Sequence, residues 1–162
     1  MFKDIIDHLE TAHKLNVYKA VNEIDTFFTK KDVESGFSNG NFWHASKLVT
    51  SSSAQFFSIG RTANDTVYQW LVFMGSSDEA RNYSYTCSIS NQIGQKFIYS
   101  GPVHTLDDNF DDIIASGSLM IGVSAAKRSL NDQKQLEVEI TIRNLKEEAK
   151  GDSMESGVSD GE

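Results

Sequence analysis

The chain has 162 residues, 39% hydrophobic and 23% charged, enough to bury the core of one domain with short appendages. Fifteen basic residues stand against 23 acidic ones, a formal charge of -8, which excludes an electrostatic nucleic-acid binder because phosphate contacts need clustered Lys and Arg. No run approaches the ~18 apolar residues of a membrane span, and the acids within MFKDIIDHLE interrupt the apolar stretch that a secretion signal requires.

A single cysteine, Cys87, cannot form an internal disulfide and fits a reducing compartment, so the expected location is the cytoplasm, with the nucleus also open. The sequons at Asn64 and Asn82 accordingly read as accidental.

In chain order, Phe2, Ile5, Ile6, Leu9 and Ala12 recur at spacings of three and four and predict an amphipathic helix over residues 2–15. From Val17 the helical period vanishes, and strands are predicted near Val21–Thr29, Phe42–Thr50 and Ala54–Gly60. VYQWLVFM, Val67 to Met74, is almost wholly apolar and reads as a central strand covered on both faces. SSDEARN from Ser76 predicts a short helix with a Ser cap and acids in its first turn. YSYTCSIS then alternates, with Tyr83, Tyr85, Cys87 and Ile89 on one side.

A strand near Lys96–Tyr99, a helical turn within DDNFDDIIAS from Asp107 and a strand near Ser118–Val123 follow. The clearest strand is LEVEITIR, Leu136 to Arg143, where Leu136, Val138, Ile140 and Ile142 face one way and Glu137, Glu139, Thr141 and Arg143 the other. Turn signals at SGFSNGN, TAND, NQIGQ and SLNDQ separate these pieces. Seven or eight short strands without crossover helices predict a mainly β protein, an antiparallel β-sandwich. The last segment, residues 146–162, holds six acids against two lysines and no aromatic residue; it is expected to be a disordered acidic tail.

No GxSxG elbow, phosphate loop, GxGxxG, HExxH or CxxC is present, so no catalytic residue is assigned. Asp107, Asp108, Asp111 and Asp112 lack the spacing and glycine of a calcium loop and read as a solvated helix start. Cys87, on the apolar side of its strand, reads as a small core residue rather than a reactive thiol. His44 and His104 have no histidine or cysteine close by and read as surface or hydrogen-bonded side chains. His8 and His13 are spaced like the closing half of a zinc finger, but two imidazoles leave the metal open to water. The pair therefore reads as the remnant of an incomplete zinc site; no cofactor is expected, and zinc only if a longer protein supplied the missing ligands.

A helix ending in HLETAHK, a strand-rich body, GSSDEARNYSYTCSI, FIYSGP, DDIIASGSLMI and LEVEITI occur in that order, and the order resembles the seven-in-absentia (Sina, or Siah) family of ubiquitin ligases, from about Ile5 to Ile142. The strongest block is Gly75 to Ile89. The resemblance implies a TRAF-like antiparallel β-sandwich that binds target proteins for ubiquitination and proteasomal degradation. It divides the chain into a zinc-finger remnant at 1–15, a substrate-binding domain at 16–145 and the tail at 146–162. It further implies a homodimer and capture of extended peptides along a strand edge, while charge and hydropathy predict neither nucleic-acid nor membrane partners.

Carried over to this sequence, the binding groove falls on Val17 and Lys19 from one strand and Asn41, Trp43 and Ala45 from another, although Trp43 reads equally well as a half-buried core aromatic. The family's RING finger is missing from this sequence. The chain is therefore expected to be no enzyme on its own, and a component of a RING-type ligase where a RING precedes it. The alternatives are a TRAF or MATH-like signalling adaptor, which no heptad run supports, a RING-less competitor without a ligase role, and a carbohydrate-binding or hydrolytic sandwich of the same architecture.

Overall fold

In a computed structural model of the chain, residues 8, 10–12, 14–20, 25–32, 37 and 43–155 are described. They hold nine strands: β1 (Asn16–Lys19), β2 (Asp25–Asp32), β3 (Trp43–Val49), β4 (Gln55–Ala63), β5 (Thr66–Phe73), β6 (Tyr83–Ser90), β7 (Lys96–Pro102), β8 (Leu119–Gly122) and β9 (Gln135–Asn144). Four helices stand between or after them: α1 (Ser77–Ala80), α2 (Phe110–Ser116), α3 (Val123–Arg128) and α4 (Leu145–Glu155).

The strands form two sheets, a five-stranded one in the order β1-β3-β4-β5-β8 and a four-stranded one in the order β2-β9-β6-β7. Every pairing is antiparallel except that of β1 with β3, which is parallel. The inner faces interlock around Leu48, Phe56, Leu71, Cys87, Val138 and Ile140, all essentially without solvent contact. β9 keeps the alternation read in LEVEITIR, and β5 lies inside its sheet with its second half buried.

The hairpin between β4 and β5 turns on Asn64 and Asp65 at φ 49 and 57. A two-residue turn matching the strands' twist needs positive φ at both central positions, and Asn and Asp tolerate it best among residues with a side chain. α1 and α2 begin in capping boxes, Ser76 with Glu79 and Asn109 with Asp112, so orphan N–H groups at each start are satisfied locally. α2 presses Ile113 and Phe110, together with Leu106, onto Trp70 and Val72. The outer side of the five-stranded sheet thus gains a small second core.

Several boundaries differ from the sequence reading. Residues 8 and 10–12 are helical and Lys14 and Leu15 are not, while residues 1–7, 9 and 13 lie beyond the described set. The strand expected over Val21–Thr29 is Asp25–Asp32, with 21–24 outside the described residues. Among the described residues strands number nine rather than seven or eight, because β1 adds a short edge. The tail expected to be disordered from Lys146 is helical through Glu155. Its first residues, LKEEAK, are strong helix formers, and the Asn144 Oδ1 accepts from the N–H groups of Lys146 and Glu147 at 3.1 and 3.4 Å, capping the first turn. Composition averaged over the whole tail hid that local signal.

Candidate functional site

β1 is the edge of the five-stranded sheet, and among the described residues no strand pairs with its other side. It runs parallel to the second half of β3, Asn16 opposite Ser46 through Lys19 opposite Val49, and the Ala20 N–H donates to the Val49 carbonyl at 3.0 Å to extend the pairing. Residues 43–45 of β3 therefore project beyond the pairing with β1. A strand edge with unpaired N–H and C=O groups is a template for another chain, and side chains on alternate positions supply selectivity.

Tyr18 turns inward to the main core, which places Val17 and Lys19 on the outer face. Val17 is 50% exposed and lies in register with Lys47, whose ammonium is held by the Glu10 carboxylate from the helical segment 10–12. Ala45 and Ile59 pair across β3 and β4 and are both half-buried. Arg61, two residues further along β4, stacks its guanidinium 4.0 Å above the Phe110 ring, a cation–π contact that pins α2 to the sheet. Val17, Ala45 and Ile59 thus form an apolar strip flanked by Lys19, Lys47 and Arg61.

Of the residues expected at the groove, the structure brings Val17, Lys19 and Ala45 onto one face, and Trp43 opens the same strand opposite Arg61. Asn41 lies outside the described residues. Ile59, Arg61 and Phe110 were not singled out in the sequence; the alternation of Phe57, Ile59 and Arg61 was readable, but the Arg61–Phe110 contact joins distant segments.

The remaining candidates resolve on chemistry. His8 is exposed, His13 lies outside the described residues, and among the described residues no group of three His, Cys, Asp or Glu side chains could hold a metal. Cys87 is shut in the core, and burial pushes its thiol up to about 12, which keeps it a neutral, unreactive thiol. Asp112 and Asp108 serve the backbone: Asp112 Oδ2 accepts from Asn109 N–H at 3.5 Å and Asp108 Oδ2 from Thr105 N–H at 2.9 Å. His104 is buried, its Nε2 donating to the Gly117 carbonyl at 3.0 Å, and His44 lies 2.9 Å from the Ser46 hydroxyl.

The family model described as the Sina, TRAF-like domain matches residues 54–142, from just before β4 into β9. The chain belongs to the Sina family. It is a TRAF-like substrate-binding module of that family, and its two-sheet sandwich agrees with the match. No curated protein matches the chain. The β1 and β3 residues of the strip lie before the matched Sina residues, and Ile59 lies within them, so the assignment of the strip rests on the geometry above. Among the described residues no helix is long and apolar enough to cross a membrane.

Proposed function

We propose that this Sina-family module captures extended segments of target proteins along the free edge of β1, and that a RING carried by the same ligase marks them for ubiquitination. The observation that supports this most is an exposed edge strand, unpaired on one side among the described residues, beside the half-exposed apolar strip of Val17, Ala45 and Ile59. A visiting strand would donate and accept backbone hydrogen bonds with β1 while its alternate side chains lie beside Val17 and Lys19 at the border of that strip. A peptide array of extended sequences, followed by titration of the best binder, tests this. Val17→Asp, at an exposed position, should leave the fold intact and weaken binding on the order of tenfold or more, since a carboxylate cannot be desolvated there. Unchanged affinity, or no extended peptide bound at all, overturns the reading.

The module is further proposed to be a homodimer, through the outer face of the four-stranded sheet. Phe28 and Ile98 are 62% and 58% exposed there. They lie on outer strands, separated by Glu139 and Ser88 in the same register row. The next row is all hydroxyl, Thr26 with Thr141 and Thr86 with Ser100. Two such faces can meet with apolar knobs over the low hydroxyl row. Light scattering should give a dimer mass for the natural sequence and a monomer for Phe28→Glu with Ile98→Glu; a monomer before substitution refutes it.

A further inference from the structure

The interior of a β-sandwich is ordinarily closed to charge, yet one lysine lies inside this one. Lys31, near the end of β2, is 3% exposed, and its Nζ lies 3.5 Å from Gln69 Oε1 across the gap between the sheets. The Gln69 amide donates in turn to Ser58 Oγ at 2.6 Å. On β3, the His44 Nε2 and Ser46 Oγ are 2.9 Å apart, and Ser46 and Ser58 stand opposite each other, fully buried. The result is a polar cluster that bridges β2 of one sheet and β3, β4 and β5 of the other.

The titratable groups that face Lys31 are His44 from β3 and Cys87 from β6. From β9 it meets its register partner Leu136, and from β4 and β5 the neutral Ser58 and Gln69. No Asp or Glu is buried among the described residues. Burial accordingly brings the Lys31 ammonium down to about 7, with Cys87 opposing weakly. Burial first, and the charge of Lys31 second, bring His44 down to about 3.

We propose that this cluster is a proton-sensitive latch: with Lys31 neutral, the ends of β2 and β3 are held together across the sandwich, and protonation of that amine releases them to water. The neutral amine is accommodated by Gln69, whereas an ammonium has three donors to satisfy and no described anion beside it. Because β3 also carries Ala45, release loosens one border of the capture strip. That consequence rests on the function proposed above; the latch does not, and it is tested on the unliganded chain.

Urea unfolding of the natural sequence and of Lys31→Met, compared between about pH 7 and pH 8.5, reads the latch. In that window the unfolded lysine keeps a proton that the folded one has released, so stability rises with pH. The folding equilibrium constant of the natural sequence should grow on the order of tenfold relative to that of Lys31→Met, and amide exchange at the end of β2 and the start of β3, corrected for intrinsic rates, should slow in parallel. Identical pH profiles for the two proteins overturn the latch. If Lys31→Met does not fold, the 13Cε shift of Lys31 in the natural sequence decides: a midpoint near neutrality supports it, and one at the free-lysine value overturns it.

Discussion

Gly117 sits at φ 120, a conformation that L side chains rarely adopt, and an added Cβ would lie 2.5 Å from the Tyr99 hydroxyl. Its carbonyl also receives the buried His104 ring. Gly117→Ala therefore combines backbone strain with a clash and should cost about 2–4 kcal/mol in denaturant unfolding. His44 carries a separate pH signature. Its folded value, about 3, lies below the ordinary 6.5, so the unfolded chain binds the extra proton between them, and stability falls as pH drops through that interval. His44→Gln should flatten the acid limb of a stability profile, while leaving the rise above neutrality that Lys31 causes. At this scale the sequence told that Cys87 is a core residue, from its place in YSYTCSIS. It gave no hint that Lys31 is buried, because inward alternation in DTFFTKKD is indistinguishable from a polar strand end until the facing sheet is known.

Three turns share one construction at the level of elements. Thr50–Ala54, Asn91–Gln95 and Asn131–Gln135 each close with an N–H of the first residue donating to the carbonyl of the fifth, at 2.9, 3.0 and 2.9 Å. Asn91 and Asn131 also use Oδ1 to accept from the fifth residue's N–H at 2.9 Å in both cases. The fourth residue is left-handed in all three: Ser53 at φ 67, Gly94 at 85 and Lys134 at 61. Only one of them is the residue best suited to that φ. Lys134→Gly and Ser53→Gly, both at exposed positions, should each raise stability by about 0.5–1 kcal/mol, whereas Gly94→Ala should lower it by a similar amount, all read by urea unfolding. The cap of α2 gives a companion test. Asn109→Ala removes the acceptor for Asp112 N–H at 2.9 Å and should cost about 1 kcal/mol in thermal unfolding. The turns in NQIGQ and SLNDQ were legible because each is written in consecutive residues, whereas the same construction in TSSSA and the cap at Asn109 were not singled out. α3 was missed since VSAAKR is too short for its period to show.

For the whole molecule, α4 joins the sandwich at its start. The Leu145 N–H donates to the Asn82 carbonyl at 2.8 Å, while residues 146–151 beyond it are exposed. Truncation after Leu145 should leave the sandwich folded and change its unfolding free energy by less than ~1 kcal/mol, since the described side chains that are lost, residues 146–151, are exposed. Leu71→Ala, in contrast, empties a site with no solvent contact and should cost about 2–5 kcal/mol by the same measurement. Periodicity, turn chemistry and residue order by themselves determined that this is a mainly β sandwich of the Sina type, because alternation and local hydrogen bonding are properties of short segments. The pairing of β1 alongside β3, the exposed strip it borders, the stacking of Arg61 on Phe110 and the enclosure of Lys31 were decided only by tertiary structure. Each depends on which distant strands become neighbours, and strand alternation fixes which face a side chain takes without fixing what lies opposite.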